Sequence, residues 1–300
     1  MRSESAELLI HFTPTENCPA CGERGPARSL YRLEKFSVRR CRCGHYFIDP
    51  SLDGASQMRI YQSSKALEQI NPACSAYYEY NTLDPDSATF RDYEKSLGEI
   101  EAHVQGRRML EVGCGSGSFL TAAKSRGWDV TGVDSGRDNI KLLNDKGIRG
   151  LCSGFLEMDS PEKYDCIVMR DLIEHPQKPE EFVLKCRALL NPGGGIHLAL
   201  PRYPNLLSVT AGLLHRLSFG RICGPLKKMY GAEHTSYFNE RTLGRLLSRC
   251  CFTVIKSWAE ETDLERYVFS WPARVVLKSA FMIARATGTQ NRLNVIAQTL

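Results

Sequence analysis

Four cysteines crowd the start of the chain, Cys18 with Cys21 as a Cys-x-x-Cys pair and Cys41 with Cys43 as a Cys-x-Cys pair followed by a glycine. Two tight turns that each present a pair of thiolates suit the tetrahedral preference of zinc for soft sulfur ligands. A segment this small also needs a clip, because it buries little core. Four protein ligands leave no open coordination position, so the expected ion is structural. The shorter second pair alters the ligand geometry, and His45 beside it is a substitute ligand.

A second candidate is a run of alternate glycines. Residues 109–120 read MLEVGCGSGSFL, a short apolar strand, then Gly113, Gly115 and Gly117, then an amphipathic stretch. Glycines at a strand-to-helix turn allow positive φ and let a ligand approach the main chain closely. WDVTGVD then supplies a second strand ending in Asp134. An acidic side chain about 20 residues beyond such a loop accepts hydrogen bonds from ribose hydroxyls. The turn is Gly-x-Gly-x-Gly, unlike the Gly-x-Gly-x-x-Gly that packs a pyrophosphate against a helix. Glu111, two residues before the first glycine, suits a cationic amino acid moiety better than a diphosphate.

Acid–base chemistry has two candidate locations. Asp171, Glu174 and His175 follow the strand-like YDCIVMR, and Glu233 and His234 follow Tyr230. A histidine with an intrinsic pKa near 6.5 accepts a proton at neutral pH.

The elements that must position these groups alternate in type. A polar helix over about 86–105 precedes the glycine loop. A later strand, a helix with Phe182, Val183, Cys186, Leu189 and Leu190 on one face, a Pro-Gly-Gly-Gly turn and another strand follow it. Alternating strands and helices predict a doubly wound, mostly parallel α/β sheet. The 300 residues, 42% hydrophobic and 24% charged with a net charge of +5, suit one large domain with a small appendage and do not demand a nucleic-acid partner. The first residues do not resemble a secretory signal, and no stretch reaches the roughly 18 to 20 apolar residues of a membrane span. A cytoplasmic location is expected, with the 12 cysteines as thiols or metal ligands.

With these motifs together, the chain resembles class I methyltransferases dependent on S-adenosylmethionine, especially the ubiquinone-biosynthesis-like O-methyltransferases and the zinc-knuckle methyltransferases of sugar and secondary metabolism. CGHYFIDP with Tyr61 is similar to the entry of the zinc-bearing group, and EHTSYFNERTLGRLLSRCCFTVI to its segment between the fifth and sixth strands. The resemblance implies a seven-stranded Rossmann-like sheet whose sixth strand at about 252–260 and seventh at about 291–298 form an antiparallel edge. It implies a zinc-binding knuckle over 1–50, a helical connector and substrate-side cover over 51–105, and a methyltransferase domain over 106–300 with lid insertions at about 203–230 and 262–290. It also assigns Glu111, Gly113, Cys114, Gly115 and Gly117 to the donor loop and Asp134, followed by Ser135, to the ribose. Ser153 and Phe155 fall to the adenine, and Met169 and Arg170 to the methyl side.

Methyl transfer from a sulfonium is a direct displacement that needs alignment and, for a hydroxyl, a base. His234, with Glu233 and Tyr230, resembles the base grouping of sugar methyltransferases, and His175 is the other candidate. Asp171, Glu174 and His175 resemble a divalent-metal cluster of some ubiquinone O-methyltransferases, a role that the charge of Arg170 opposes. The expected acceptor is a small-molecule hydroxyl on a sugar, quinone precursor or lipid-linked glycan. RNA base methylation is a second class, for which Arg39, Arg40 and Arg42 are the candidates although no stacking platform accompanies them. A noncatalytic donor-binding or zinc-mediated interaction module is a third. Both lids mix leucine with arginine and lysine, and the apolar stripe is expected to face the core. The alternative is peripheral contact with anionic lipid.

Overall fold

In the computed structural model, residues 10–25, 27–61, 86–266 and 269–299 are described. The N-terminal part holds β1 (Phe12–Thr13), β2 (Arg28–Arg32), β3 (Ser37–Arg40), β4 (Tyr46–Asp49), β5 (Ser51–Leu52) and α1 (Gly54–Tyr61). The expected connector over 51–105 lies partly outside the described residues. Its later part is α2 (Ala88–His103), whose Ser87 side chain accepts from the Phe90 N–H, satisfying one orphan donor of the first turn.

Then β6 (Arg108–Val112), α3 (Ser118–Ser125), β7 (Asp129–Asp134), α4 (Arg137–Asp145), β8 (Arg149–Cys152), β9 (Tyr164–Arg170), α5 (Pro179–Leu189) and β10 (Leu190–Pro201) alternate as the sequence predicts. α6 (Leu206–Leu217), α7 (Gly224–Met229), β11 (Ser236–Tyr237), α8 (Glu240–Arg249), β12 (Phe252–Glu260), α9 (Trp271–Thr287) and β13 (Arg292–Thr299) complete the described chain.

The main sheet has seven strands in the order β12-β13-β10-β9-β6-β7-β8. Its central strands are apolar runs because both faces are covered. The pleat sends alternate side chains to separate layers. Leu110, Val112, Ile167 and Met169 pack with Val183 of α5 and Leu246 of α8. Met109, Cys166 and Val168 pack with Leu97 of α2, Leu120 of α3 and Leu143 of α4.

The antiparallel edge formed by the last two strands is as expected, with β13 antiparallel to both β10 and β12 and lying between them. Leu293, Val295, Ile296 and Ala297 are all buried, a two-sided burial that only an interior strand provides, whereas most of β12 is exposed or half-exposed. The Pro-Gly-Gly-Gly segment is not a free turn but a register shift within β10, between Leu190 and Gly195. A Cβ on Gly194 would approach the Asn191 and Asp165 carbonyls at 2.9 and 3.0 Å, so the close pass of these backbones requires glycine.

The knuckle strands form a four-stranded sheet, β11-β4-β3-β2, in which β11 comes from the segment between β10 and β12. Ser236 pairs with Phe47 and Tyr237 with Tyr46. The N-terminal sheet is thus completed by residues from the far side of the main sheet's sequence, Ser236 and Tyr237.

α2 is fastened to the end of β9 by an ion pair between Asp92 and Arg170. The guanidinium also lies 4.8 Å from the ring centres of Tyr93 and Phe119. Burial, the largest single influence, would raise the Asp92 carboxyl, but the Arg170 charge and hydrogen bond, a hydrogen bond with Glu260 and the Arg292 charge together outweigh it and hold the group far below the usual carboxylate range. Replacing Asp92 by Asn leaves a buried cation uncompensated and should cost roughly 3 kcal/mol. Urea denaturation checks this, and an unchanged midpoint would show the pair to be dispensable.

Candidate functional site

The glycine loop stands at the carboxyl end of β6, the edge of an open sheet where ligands bind. Gly113, Gly115 and Gly117 all have left-handed backbones, with φ of 69°, 51° and 74°. Each has a different constraint. A Cβ on Gly117 would come within 2.1 Å of Leu143 Cδ1, whereas a Cβ on Gly115 would meet nothing within 4 Å. Gly115 therefore presents bare backbone to an open space. The Cys114 thiol turns inward, towards Gly132, so this residue offers the space only its main chain.

Asp134 at the end of β7 organises the loop. Its Oδ2 accepts from the Gly115 N–H at 2.9 Å, and its Oδ1 accepts from the Gly136 N–H at 2.8 Å and Asn139 Nδ2 at 3.1 Å. Asn139 was not singled out in the sequence; its position one turn into the following helix is the only signal it leaves. Ser135 is half-buried, and Ser153 donates its N–H to the Asp134 carbonyl at 3.1 Å. Phe155 is buried with its ring centre 5.6 Å from that of Phe182. Met169 is wholly core, so its backbone alone borders the loop.

Glu111 is buried, with Oε2 lacking any hydrogen-bond partner among the described residues. Its carboxyl is pushed up to about 8, mainly by burial, with Arg170 offsetting part of the effect and Asp134 adding repulsion. A buried carboxyl with an orphaned oxygen, two residues before the glycine loop, is suited to receiving a cation.

The second cluster forms where the segment after β9 meets the one before β11. The Thr235 and Ser236 N–H groups both donate to the Glu174 carbonyl at 2.9 Å, which brings His234 beside His175 with ring centres 4.7 Å apart. His175 is engaged on both nitrogens: Nδ1 lies 2.8 Å from Tyr61 Oη and 2.8 Å from the Glu233 carbonyl, and Nε2 lies 3.1 Å from the Asp171 carbonyl. Gln57 of α1 donates to the His175 carbonyl and to Thr235 Oγ1, tying the connector to the same place. Burial lowers both imidazoles to about 4, so both are neutral at pH 7.

The buried Glu174 carboxylate has no hydrogen-bond partner on either oxygen among the described residues, and burial followed by the Asp171 charge raises it well above the carboxylate range. Ligand atoms of Glu174, His175 and His234 lie within 4.8 Å of one another. Asp171 is held elsewhere, by Arg292 Nη1 at 2.7 Å. The metal-like grouping thus contains His234 in place of Asp171. The Glu233 side chain lies over Gly231, where an added Cβ would come within 2.2 Å of its Oε2. Tyr230 sits deeper, in an aromatic cluster with Tyr31, Tyr203 and Tyr237, and reaches His234 only through Tyr237.

The four N-terminal cysteines converge. Cys18 and Cys43 have Sγ atoms 3.7 Å apart, as do Cys21 and Cys41, and all four lie within 4.8 Å of one another. A tetrahedron of sulfurs about 2.3 Å from zinc has S–S edges of about 3.8 Å. Left-handed glycines, Gly22 and Gly44, follow each pair and turn the chain back, with the Gly22 N–H donating to the Cys18 carbonyl and the Gly44 N–H to the Cys41 carbonyl. The Cys-x-Cys spacing is therefore accommodated. His45 is not the substitute ligand: its ring is fully buried 4.6 Å from that of Phe238, and it is not among the residues whose ligand atoms converge with the sulfurs.

A family model described as a methyltransferase domain matches residues 86–257. The chain belongs to that family. Its fold is that of the class I S-adenosylmethionine-dependent methyltransferases. Among curated relatives, it is 33% identical over 111 residues to a ubiquinone biosynthesis O-methyltransferase of Bordetella avium, covering 33% of this chain and 45% of that one. It is 31% identical over 134 residues to the Bradyrhizobium sp. protein of the same name, covering 43% and 50%. The chain spans about half the length of the curated relatives it matches. Among solved structures, the 1,6-didemethyltoxoflavin-N1-methyltransferase of Burkholderia thailandensis has a TM-score of 0.50 at 16% identity, covering 92% of this chain and 99% of that one. A putative sarcosine dimethylglycine methyltransferase from Galdieria sulphuraria has 0.51 at 15%, covering 70% and 85%. At these identities the structural likeness is one of fold.

Proposed function

We propose that the protein transfers a methyl group from S-adenosylmethionine to a hydroxyl of a small-molecule acceptor. The observation that carries this is the left-handed glycine loop held by Asp134, with the orphaned buried carboxyl of Glu111 two residues before it. The Gly113–Gly117 backbone and Asp134 would hold the ribose and amino acid portions, Glu111 the ammonium, and Ser135, Ser153 and Phe155 the adenine side. Met169 and Arg170 would close the methyl side, Arg170 through its hold on α2. When bound, the sulfonium supplies an electrophilic methyl carbon, which the acceptor oxygen attacks as the carbon–sulfur bond breaks. A neutral imidazole nitrogen of His234 takes the hydroxyl proton. His175, braced on both nitrogens, positions His234, while Glu233 and Tyr230 support the loop that carries it. The cysteine tetrahedron would hold a structural zinc ion.

A second reading is favoured by the buried Glu174 carboxyl, whose oxygens have no hydrogen-bond partner among the described residues: a divalent cation held by Glu174, His175 and His234 that polarises the acceptor oxygen. For RNA, Arg28, Arg40 and Arg42 line a hollow of about 600 Å³, but Arg40 lies over Tyr46 and Arg39 is paired with Asp49. Arg39 and Arg40 are thus engaged within the knuckle, whereas Arg28 and Arg42 have no ion-pair partner among the described residues.

Incubating the protein with methyl-labelled donor and cell extract divided into small-molecule, lipid and RNA fractions tests the proposal. Label should enter a small-molecule or lipid product, whereas label in RNA alone would reverse the choice. Replacing Asp134 by Ala removes charge-assisted hydrogen bonds of about 1.5–3 kcal/mol each, so S-adenosylhomocysteine affinity should fall about 100-fold. Calorimetry reads this directly; unaltered affinity would place the donor elsewhere.

A further inference from the structure

The two segments expected to cover the site with their apolar stripes inward instead expose much of that surface. On α6 and the turn after it, Val209, Leu213, Leu214, Leu217, Phe219 and Ile222 are exposed, Leu217 to 69% and Phe219 to 92%. On α9 the same is true of Trp271, Val275, Val276, Met282 and Ile283, Trp271 to 77%. The residues that anchor each helix are few: Ser208, Ala211 and Gly212 on α6, and Phe281 and Ala284 on α9.

These faces share one rim of the molecule. α6 follows the carboxyl end of β10, and α9 joins the carboxyl end of β12 to the start of the antiparallel β13, so both rise from the edge that carries the glycine loop. They meet where the Leu206 N–H donates to the Thr289 carbonyl at 3.1 Å.

Their charge is one-sided. No Asp or Glu occurs from Asn205 to Ala232 or from Arg266 to Leu300, while Arg216, Arg221, Lys227, Lys228, Arg274, Lys278 and Arg285 do. Some of these are neutralised by neighbouring elements, Lys227 by Glu34, Arg274 by Glu265 and Arg285 by Glu261. Arg221, Lys228 and Lys278 have no ion-pair partner among the described residues. On a helical projection of α9, Trp271, Val275 and Met282 fall together, with Lys278 and Arg285 along one flank. An exposed apolar face bordered by lysine and arginine is the arrangement of a helix lying in a membrane interface, apolar side inserted and cations at the headgroups. Among the described residues no helix is long and apolar enough to cross a membrane.

We infer that α6, the turn through Ile222 and α9 form a surface that docks on an anionic lipid bilayer, with the carboxyl edge of the sheet facing the lipid. A second protein copy would meet like charge across this face; anionic headgroups complement it.

The test needs neither donor nor acceptor and is therefore independent of the proposed reaction. The purified chain is floated with vesicles of phosphatidylcholine alone or of phosphatidylcholine with phosphatidylglycerol, while tryptophan emission is recorded. The expected result is flotation with the anionic vesicles and a blue shift from Trp271, both diminished by salt. Leu217→Asp with Phe219→Asp should abolish flotation, and Arg221→Glu with Lys228→Glu should weaken it about tenfold or more. These positions are exposed, and unchanged circular dichroism confirms that each variant folds. Equal flotation with both vesicle types, no flotation, or retention of binding in the aspartate variant would overturn the inference. So would a dimer, seen by sedimentation, that the aspartate variant dissociates.

Discussion

Replacing Cys18 by Ser should reduce bound zinc from one equivalent to well under half and loosen the N-terminal sheet. The four sulfurs are already at tetrahedral spacing, and burial pushes the Cys18 thiol up and the Cys43 thiol up to about 11. Without a cation, that environment favours neutral thiols at Cys18 and Cys43, while hydrogen bonds with Cys43, Cys18 and Cys21 lower the Cys41 thiol. With zinc, the same four groups become thiolate ligands, and metal affinity becomes folding free energy, about 10 kcal/mol or more in isolated zinc fingers. Here the loss should be smaller, several kcal/mol, because β11 and the contacts of Tyr31 and Val38 with Tyr203 and Leu226 also hold the sheet. Elemental analysis counts the ion, and hydrogen exchange should show faster opening across Arg28–Asp49. A protein purified without zinc, with unaltered exchange after chelation, would refute the assignment.

His234→Ala should lower kcat by about 10²–10⁴-fold while leaving S-adenosylhomocysteine affinity unchanged. The split follows from position: His234 lies beside His175 in the second cluster, whereas the donor loop is held by Asp134. With its imidazole lowered to about 4, His234 is neutral and able to accept a proton above about pH 5, so kcat/KM should rise through pH 4 and then stay level on its account. Turnover equal to the parent protein would eliminate His234 as the base. Full turnover in His234→Gln restored only by added Mg²⁺ or Mn²⁺ would favour the cation at Glu174 instead.

His175 illustrates how far local reading reaches. Its type and its place after a strand are visible in MRDLIEH, yet its constraint by Tyr61, the Glu233 carbonyl and Gln57 is not. Those partners lie 114, 58 and 118 positions away, and no periodicity links them. Asp171 likewise looks available in the sequence, and its pairing with Arg292 across 121 positions removes it from the cluster. The lids show the converse failure. Their apolar periodicity is plain, but periodicity says which residues share a face and not whether that face is covered.

The alternation of strands and helices, the glycine loop with Asp134 and the four-cysteine set were legible in the residues alone. These depend on spacing between near neighbours, which backbone geometry converts directly into shape. Long-range packing set the rest: β13 inside the sheet, β11 completing the knuckle, His234 joining Glu174 and His175, and the exposed apolar residues of α6 and α9. Each of those outcomes depends on which surfaces meet after the chain has folded back, a competition among distant contacts that no short stretch encodes.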